Sequence, residues 1–126
     1  MMLTILVAGP YRSGTGGDPA LIERNLERLE QAALAIYERG HLPMIGEWIA
    51  LPLARAAGSA RIGDAVSEKF LYPASHRLLS RCDAVLRIDG ASTGADNDVR
   101  LAQSIRLTIF RNLAEIPAVN VESRTQ

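Results

Sequence analysis

A chain of 126 residues, 48% hydrophobic and 22% charged, has the composition of one globular domain covering residues 1–126, not of a disordered chain. Fourteen basic side chains balance fourteen acidic ones, which argues against electrostatic capture of a nucleic-acid polymer or an anionic membrane, so any anion specificity has to be local. A single cysteine, Cys82, excludes an internal disulfide and reads as a small buried thiol.

The first predicted element is the apolar run Leu3–Ala8. It shows little alternation, which suits a strand covered on both faces. It is too short for a secretion signal and lacks the cationic flank of one. No stretch is long and apolar enough to span a membrane, and a cytoplasmic chain is the expectation. A glycine-rich loop follows, from Gly9 to Asp18. Asp18-Pro19 then starts a helix, with Asp capping and Pro at the first helical position. Leu21, Ile22, Leu26, Leu29, Ala33, Ile36 and Tyr37 recur at helical spacing, and Gly40 ends the helix.

His41–Ile45 reads as a second strand, and Pro43 assigns it to an edge or a strand start. Glu47–Ala57 is an apolar helix that Pro52 would kink or split. Within it, Trp48–Leu53 serves either as core or as a subunit contact. Asp64 caps a further helix, which Pro73 is expected to break or kink, with a second piece running from Pro73 to about Cys82. Asp83–Ile88 is the next strand. Arg87 is odd inside it and marks either a sheet edge or a subunit contact. The loop Gly90–Ala95 leads into a helix over Asp96–Ser104. A short strand over Leu107–Phe110 follows, and the stretch from Ile116 is either an added strand or a tail. Strands alternating with helices predict an α/β domain with a mostly parallel sheet, Leu3–Ala8 central and His41–Ile45 at or near an edge. Ligands of such sheets bind beyond the carboxyl ends of the strands, where strand order reverses.

Two loops after strands can therefore carry chemistry. In Gly9-Pro-Tyr-Arg-Ser-Gly-Thr-Gly-Gly-Asp18, glycines allow close backbone approach, Tyr11 can stack or hydrogen-bond, and Arg12 can pair with an anion. The loop lacks the Gly-Lys-Ser/Thr ending of a P-loop, and Pro19 stands where a dinucleotide fingerprint needs Gly. Taken alone it is either a ligand loop or a solvated run of turn formers. In Asp89-Gly-Ala-Ser-Thr-Gly-Ala-Asp-Asn-Asp98, the hydroxyls of Ser92 and Thr93 beside free helical N–H groups would form a small anion site. Asp98 is expected in the first helical turn, where the macrodipole favours the ionised carboxylate that a nucleophile needs. Taken alone, Asp96 and Asp98 read as ordinary N-terminal helix acids. Glu47 follows the second strand and lies either near Asp98 or at an exposed first turn. His41 and His76 have no metal-ligand spacing and read as surface or core histidines. No metal and no cofactor is expected.

Val7-Ala-Gly-Pro-Tyr11, Cys82-Asp-Ala-Val-Leu86, Ser92-Thr-Gly-Ala-Asp-Asn-Asp98 and Val99-Arg-Leu-Ala102 together resemble the nucleoside 2-deoxyribosyltransferase-like family, which includes deoxynucleoside-monophosphate N-glycosidases. The resemblance runs from Leu3 to about Phe110. It implies a flavodoxin-like, Rossmann-like three-layer sandwich and cleavage or transfer of the N-glycosidic bond of a nucleoside or nucleoside monophosphate. It implies Asp98 as nucleophile, and Tyr11 or Glu47 is the expected helper. Gly9, Pro10, Arg12, Asp89, Ser92 and Gly94 would bind substrate, Ser92 at the phosphate position. It also implies a homo-oligomer.

Two departures stand out. Asp98 replaces the family's Glu, retracting the carboxylate by about 1.5 Å, and a misplacement of about 1 Å can cost roughly a hundredfold in rate. The family's Asp in the helix before the Cys-Asp strand is missing, with Ser75 and His76 near that place. A non-catalytic nucleotide-binding module with a degenerate site is the alternative reading.

Overall fold

The computed structural model describes residues 1–120. Strand β1 (Thr4–Ala8) is followed by α1 (Pro19–Glu38), β2 (Leu42–Met44), α2 (Gly46–Ala56), α3 (Ala65–Leu79), β3 (Ala84–Arg87), α4 (Thr93–Ser104) and β4 (Thr108–Phe110), with a short 3-10 turn at Leu113–Glu115. All strand pairings are parallel, in the order β2-β1-β3-β4. Leu3–Ala8 therefore supplies a central strand and the Pro43 segment an edge, as the apolar run and the missing N–H require.

The alternation of β1 explains the layering. Ile5 and Val7 pack with Leu29, Ala33 and Ile36 of α1, while Leu6 and Ala8 pack with Leu79 of α3 and Ala95 and Ala102 of α4. Side chains at successive strand positions point to opposite faces, so both faces of β1 are covered. This is the three-layer α/β sandwich expected from the sequence. Tyr11, Ile22, Ala50 and Leu71 form a third cluster that ties α1, α2 and α3 to the loop after β1. Cys82 is buried, and burial followed by the neighbouring Asp83 charge pushes its thiol up to about 11.

The helix starts follow capping chemistry. The Asp18 side chain accepts from Ala20 N at 2.9 Å, with Pro19 at the first helical position. Asp64 accepts from Ser67 N, Ala60 N and Arg61 N, which holds its carboxyl well below the usual range. His41 is a core histidine. Its Nδ1 accepts from Leu3 N at 2.9 Å, which leaves Nε2–H to donate to Pro117 O at 2.5 Å.

Three expectations change. Pro73 does not break its helix: α3 runs unbroken from Ala65 to Leu79 and ends before Cys82. The missing N–H costs about 3 kcal/mol in an isolated helix. Here Pro73 faces solvent while Ser67, Leu71 and Leu79 bury the opposite side, so packing outweighs the local defect. Pro52 likewise lies inside a continuous α2.

Second, α4 begins at Thr93, capped by Ser92 Oγ accepting from Ala95 N at 3.1 Å. Asp98 consequently sits in the second turn, not the first. Third, Arg87 lies in a central strand and marks no edge. Its guanidinium folds back to the carbonyls of Ile88 and Gly90 and pairs with Asp96 at 3.0 Å. It thereby holds the loop that leads into α4. The segment after the 3-10 turn includes buried Ile116 and forms no strand through Asn120; its remainder, residues 121–126, lies outside the described residues.

Candidate active site

The chain leaves β1 toward β2 on one side and reaches β3 on the other. The loops after β1 and β3 therefore diverge and open a crevice at the carboxyl ends of the two central strands. A cleft of about 330 Å³ lies there, within the range of small-molecule sites.

The loop after β1 is built, not loose. Thr15 is buried and its hydroxyl donates to Arg12 O at 2.6 Å; Asn25 of α1 donates to Tyr11 O at 2.8 Å. Gly9 lies so close to Ile88 that a Cβ there would stand 2.8 Å from its Cδ1. Arg12 pairs with Glu68 of α3, which fixes its guanidinium at the cleft mouth.

The cleft brings together Gly9, Tyr11, Arg12, Glu47, Ser92, Gly94 and Asp98. Pro10 and Asp89 do not line it. Pro10 is buried beneath Gly90, and Asp89 is exposed, its carbonyl accepting from Arg28 at 3.3 Å. The sequence reading missed Tyr72 and Ser75, which line the cleft from α3, and gave His76 no part in it. Ser75 Oγ donates to Asp98 Oδ2 at 3.3 Å, and His76 Nε2 lies 3.6 Å from Asp98 Oδ1. The signal was their spacing: with Leu71 and Leu79, positions 72, 75 and 76 fall on adjoining faces of one unbroken helix. Gly46 and Gly94 give α3 its close approach, since a Cβ would meet Ser75 Oγ at 2.7 Å in the first case and Tyr72 Cε1 at 2.8 Å in the second.

Burial governs the electrostatics. Glu47 is pushed up to about 7, chiefly by desolvation, with its own backbone N–H opposing and Asp98 adding repulsion. Asp98 is pushed up to about 6 by burial, against His76, Ser75 and Arg87, which pull it down. The macrodipole reading, in which the ionised form is favoured, is thus overturned. A helix end is worth about 0.3–1 kcal/mol and fades after the first turn, and Asp98 is buried in the second. Tyr11 is held protonated, up to about 12, first by burial and then by Glu47. The cleft can therefore offer a carboxylate, a carboxylic acid and a phenol donor together near neutrality. Among the described residues no group of three or more His, Cys, Asp and Glu side chains is placed to hold a metal ion.

No family model matches the chain, and neither does any curated protein sequence. A solved structure does: a 2-deoxyribosyltransferase from the psychrotolerant bacterium Bacillus psychrosaccharolyticus, described as a biocatalyst for nucleoside synthesis. The likeness covers 95% of this chain and 94% of that one, with a TM-score of 0.62 at 13% sequence identity. The fold is that of a 2-deoxyribosyltransferase. The four-stranded parallel sheet is thus the flavodoxin-like arrangement, and among the described residues no helix is long and apolar enough to cross a membrane.

Proposed function

We propose that the chain cleaves or transfers the N-glycosidic bond of a nucleoside or nucleoside monophosphate, with Asp98 as nucleophile. The observation that carries this reading is a pair of mutually repelling carboxylates, half-buried Glu47 and buried Asp98, in one cleft of a deoxyribosyltransferase fold.

In the first step an Asp98 carboxylate oxygen bonds to the anomeric carbon as the C–N bond breaks. The electron pair goes to the base nitrogen, which takes the proton held by Glu47. In the second step Glu47, now a carboxylate, removes a proton from water or from an incoming base. The oxygen or nitrogen so activated bonds to the anomeric carbon, and the ester bond pair returns to Asp98. The lower-titrating acid is thus the nucleophile and the higher one the proton carrier, as two-carboxylate glycoside chemistry requires. Tyr11 donates a hydrogen bond and stays protonated throughout. Gly9 admits the sugar closely, and Ser92 with the free N–H groups of Thr93 and Gly94 receives a 5′-phosphate.

Incubation with a panel of nucleosides and monophosphates, with free base read by chromatography, tests the reading. Base released from at least one member is expected. Saturable binding without release from any member is the outcome of a non-catalytic nucleotide-binding module.

The same reading takes the protein as a cytoplasmic homo-oligomer. Trp48, Ile49 and Leu53 remain 38%, 40% and 48% exposed on α2 and supply the contact. Sedimentation at micromolar concentration is expected to show a dimer or larger species, and a strict monomer contradicts it.

A further inference from the structure

Asp98 is supported on only one of its two oxygens. Oδ2 accepts from Ser75, whereas Oδ1 is buried and has no hydrogen-bond partner. Buried acceptors are nearly always satisfied, so an orphan beside a proposed reacting group calls for an explanation. The group facing that oxygen is His76 Nε2 at 3.6 Å, beyond hydrogen-bond range but within reach of a small rotation. The two side chains differ sharply in solvent access, 42% exposed for His76 and 10% for Asp98. The imidazole stands open to water while the carboxylate is mostly covered. Tyr72, one turn earlier, holds the imidazole at a ring-centroid distance of 6.4 Å and packs over Gly94 at the start of α4.

We propose that His76 is a positioning residue for Asp98: its Nε2–H closes on Oδ1 and fixes the carboxylate at the cleft wall. This rests on the nucleophile reading above. None of the other charged groups around Asp98 hydrogen-bonds to Oδ1. From α2, Glu47 repels it. From β3, Arg87 is committed to two carbonyls and to Asp96 of α4. On the loop after β1, Arg12 is paired with Glu68 of α3, and Tyr11 is uncharged.

The test uses His76→Gln and His76→Lys in the full chain. Wild-type kcat/KM is expected to be bell-shaped in pH, with Asp98 ionisation on its acid limb. His76→Gln should move that limb up by about one unit, as loss of an opposite charge within 4–6 Å does. It should lower kcat roughly tenfold to a hundredfold with KM little changed, and His76→Lys should return the limb toward wild type. Carbon-13 NMR of the Asp98 carboxyl in the ligand-free protein provides a readout independent of turnover. Its titration midpoint should rise in His76→Gln and fall back in His76→Lys. A midpoint and limb that do not move overturn the proposal, as does a uniform loss of kcat with an unmoved limb and a lower Tm. If no nucleoside is turned over, the NMR titration still decides whether His76 governs Asp98, so the two readings fail separately.

Discussion

Asp98→Ala is expected to reduce base release by on the order of 10⁴-fold or more while substrate still binds. Deleting an attacking group removes the covalent step but few ground-state contacts. Asp98→Glu is expected to lower the rate as well, by roughly tenfold to a hundredfold. Ser75 and His76 flank the shorter acid, and a further methylene carries the carboxylate about 1.5 Å past both. Turnover and thermal stability measured together on both variants separate this from a purely structural role. If Asp98 had only a structural role, turnover would persist in Asp98→Ala. A Glu variant faster than wild type would show that the pocket is still shaped for the longer acid.

Stability should fall as pH rises from about 4 to 7, and Asp98→Asn should reverse about half of that fall. Asp98 is raised from 3.8 to about 6 and Glu47 from 4.5 to about 7, both chiefly by burial. Folding therefore favours the protonated acids. Their contribution is fully present below about pH 4 and is lost as pH rises through 6 and 7, where each ionises without its water shell. The loss is on the order of 2–3 kcal/mol for each group. At pH 8, Asp98→Asn and Glu47→Gln should each raise Tm by several degrees, and at pH 4 the gain should vanish. Asp64 works in the opposite sense. Its carboxyl is depressed by the N–H groups it accepts, so its contribution is present above its unfolded value and lost in acid. Maximum stability thus falls on the acid side of neutrality. Thermal melts across pH 3–9 read the wild type and both variants, and a wild-type Tm that climbs from pH 5 to 8 contradicts the desolvation of the two acids.

The parts of the fold set by local chemistry were legible in the sequence. The unbroken apolar run of β1, Pro43 at an edge and the Asp18-Pro19 start each have one low-energy solution, and the structure adopts it. Because β1 and β3 are both followed by glycine-bearing loops, the mouth of the cleft was legible too. The contribution of α3 was hidden. A proline at position 73 reads as a break when propensity is weighed alone, and that break put Tyr72 on a different piece from Ser75 and His76, which one helix carries together to Asp98. Tertiary burial of Leu71 and Leu79 decides the matter, and a one-dimensional pattern does not contain it. The upward shift of Asp98 was hidden for a similar reason. Its place near a helix start is visible in sequence, but its desolvation depends on α3 and β3 closing over it. Arg87 shows the same limit, since no spacing rule foretells a guanidinium turning back onto its own loop.

The central claim is that Asp98 becomes bonded to the sugar. It is tested most directly by mixing the protein with a 2′-deoxynucleoside that it cleaves, quenching in acid within milliseconds to seconds, and mapping the protein by mass spectrometry. The account predicts a pentosyl adduct on the peptide containing Asp98, forming with release of one equivalent of base and absent from Asp98→Ala. Base release that proceeds with the Asp98 peptide unmodified, and that survives Asp98→Ala, would contradict it.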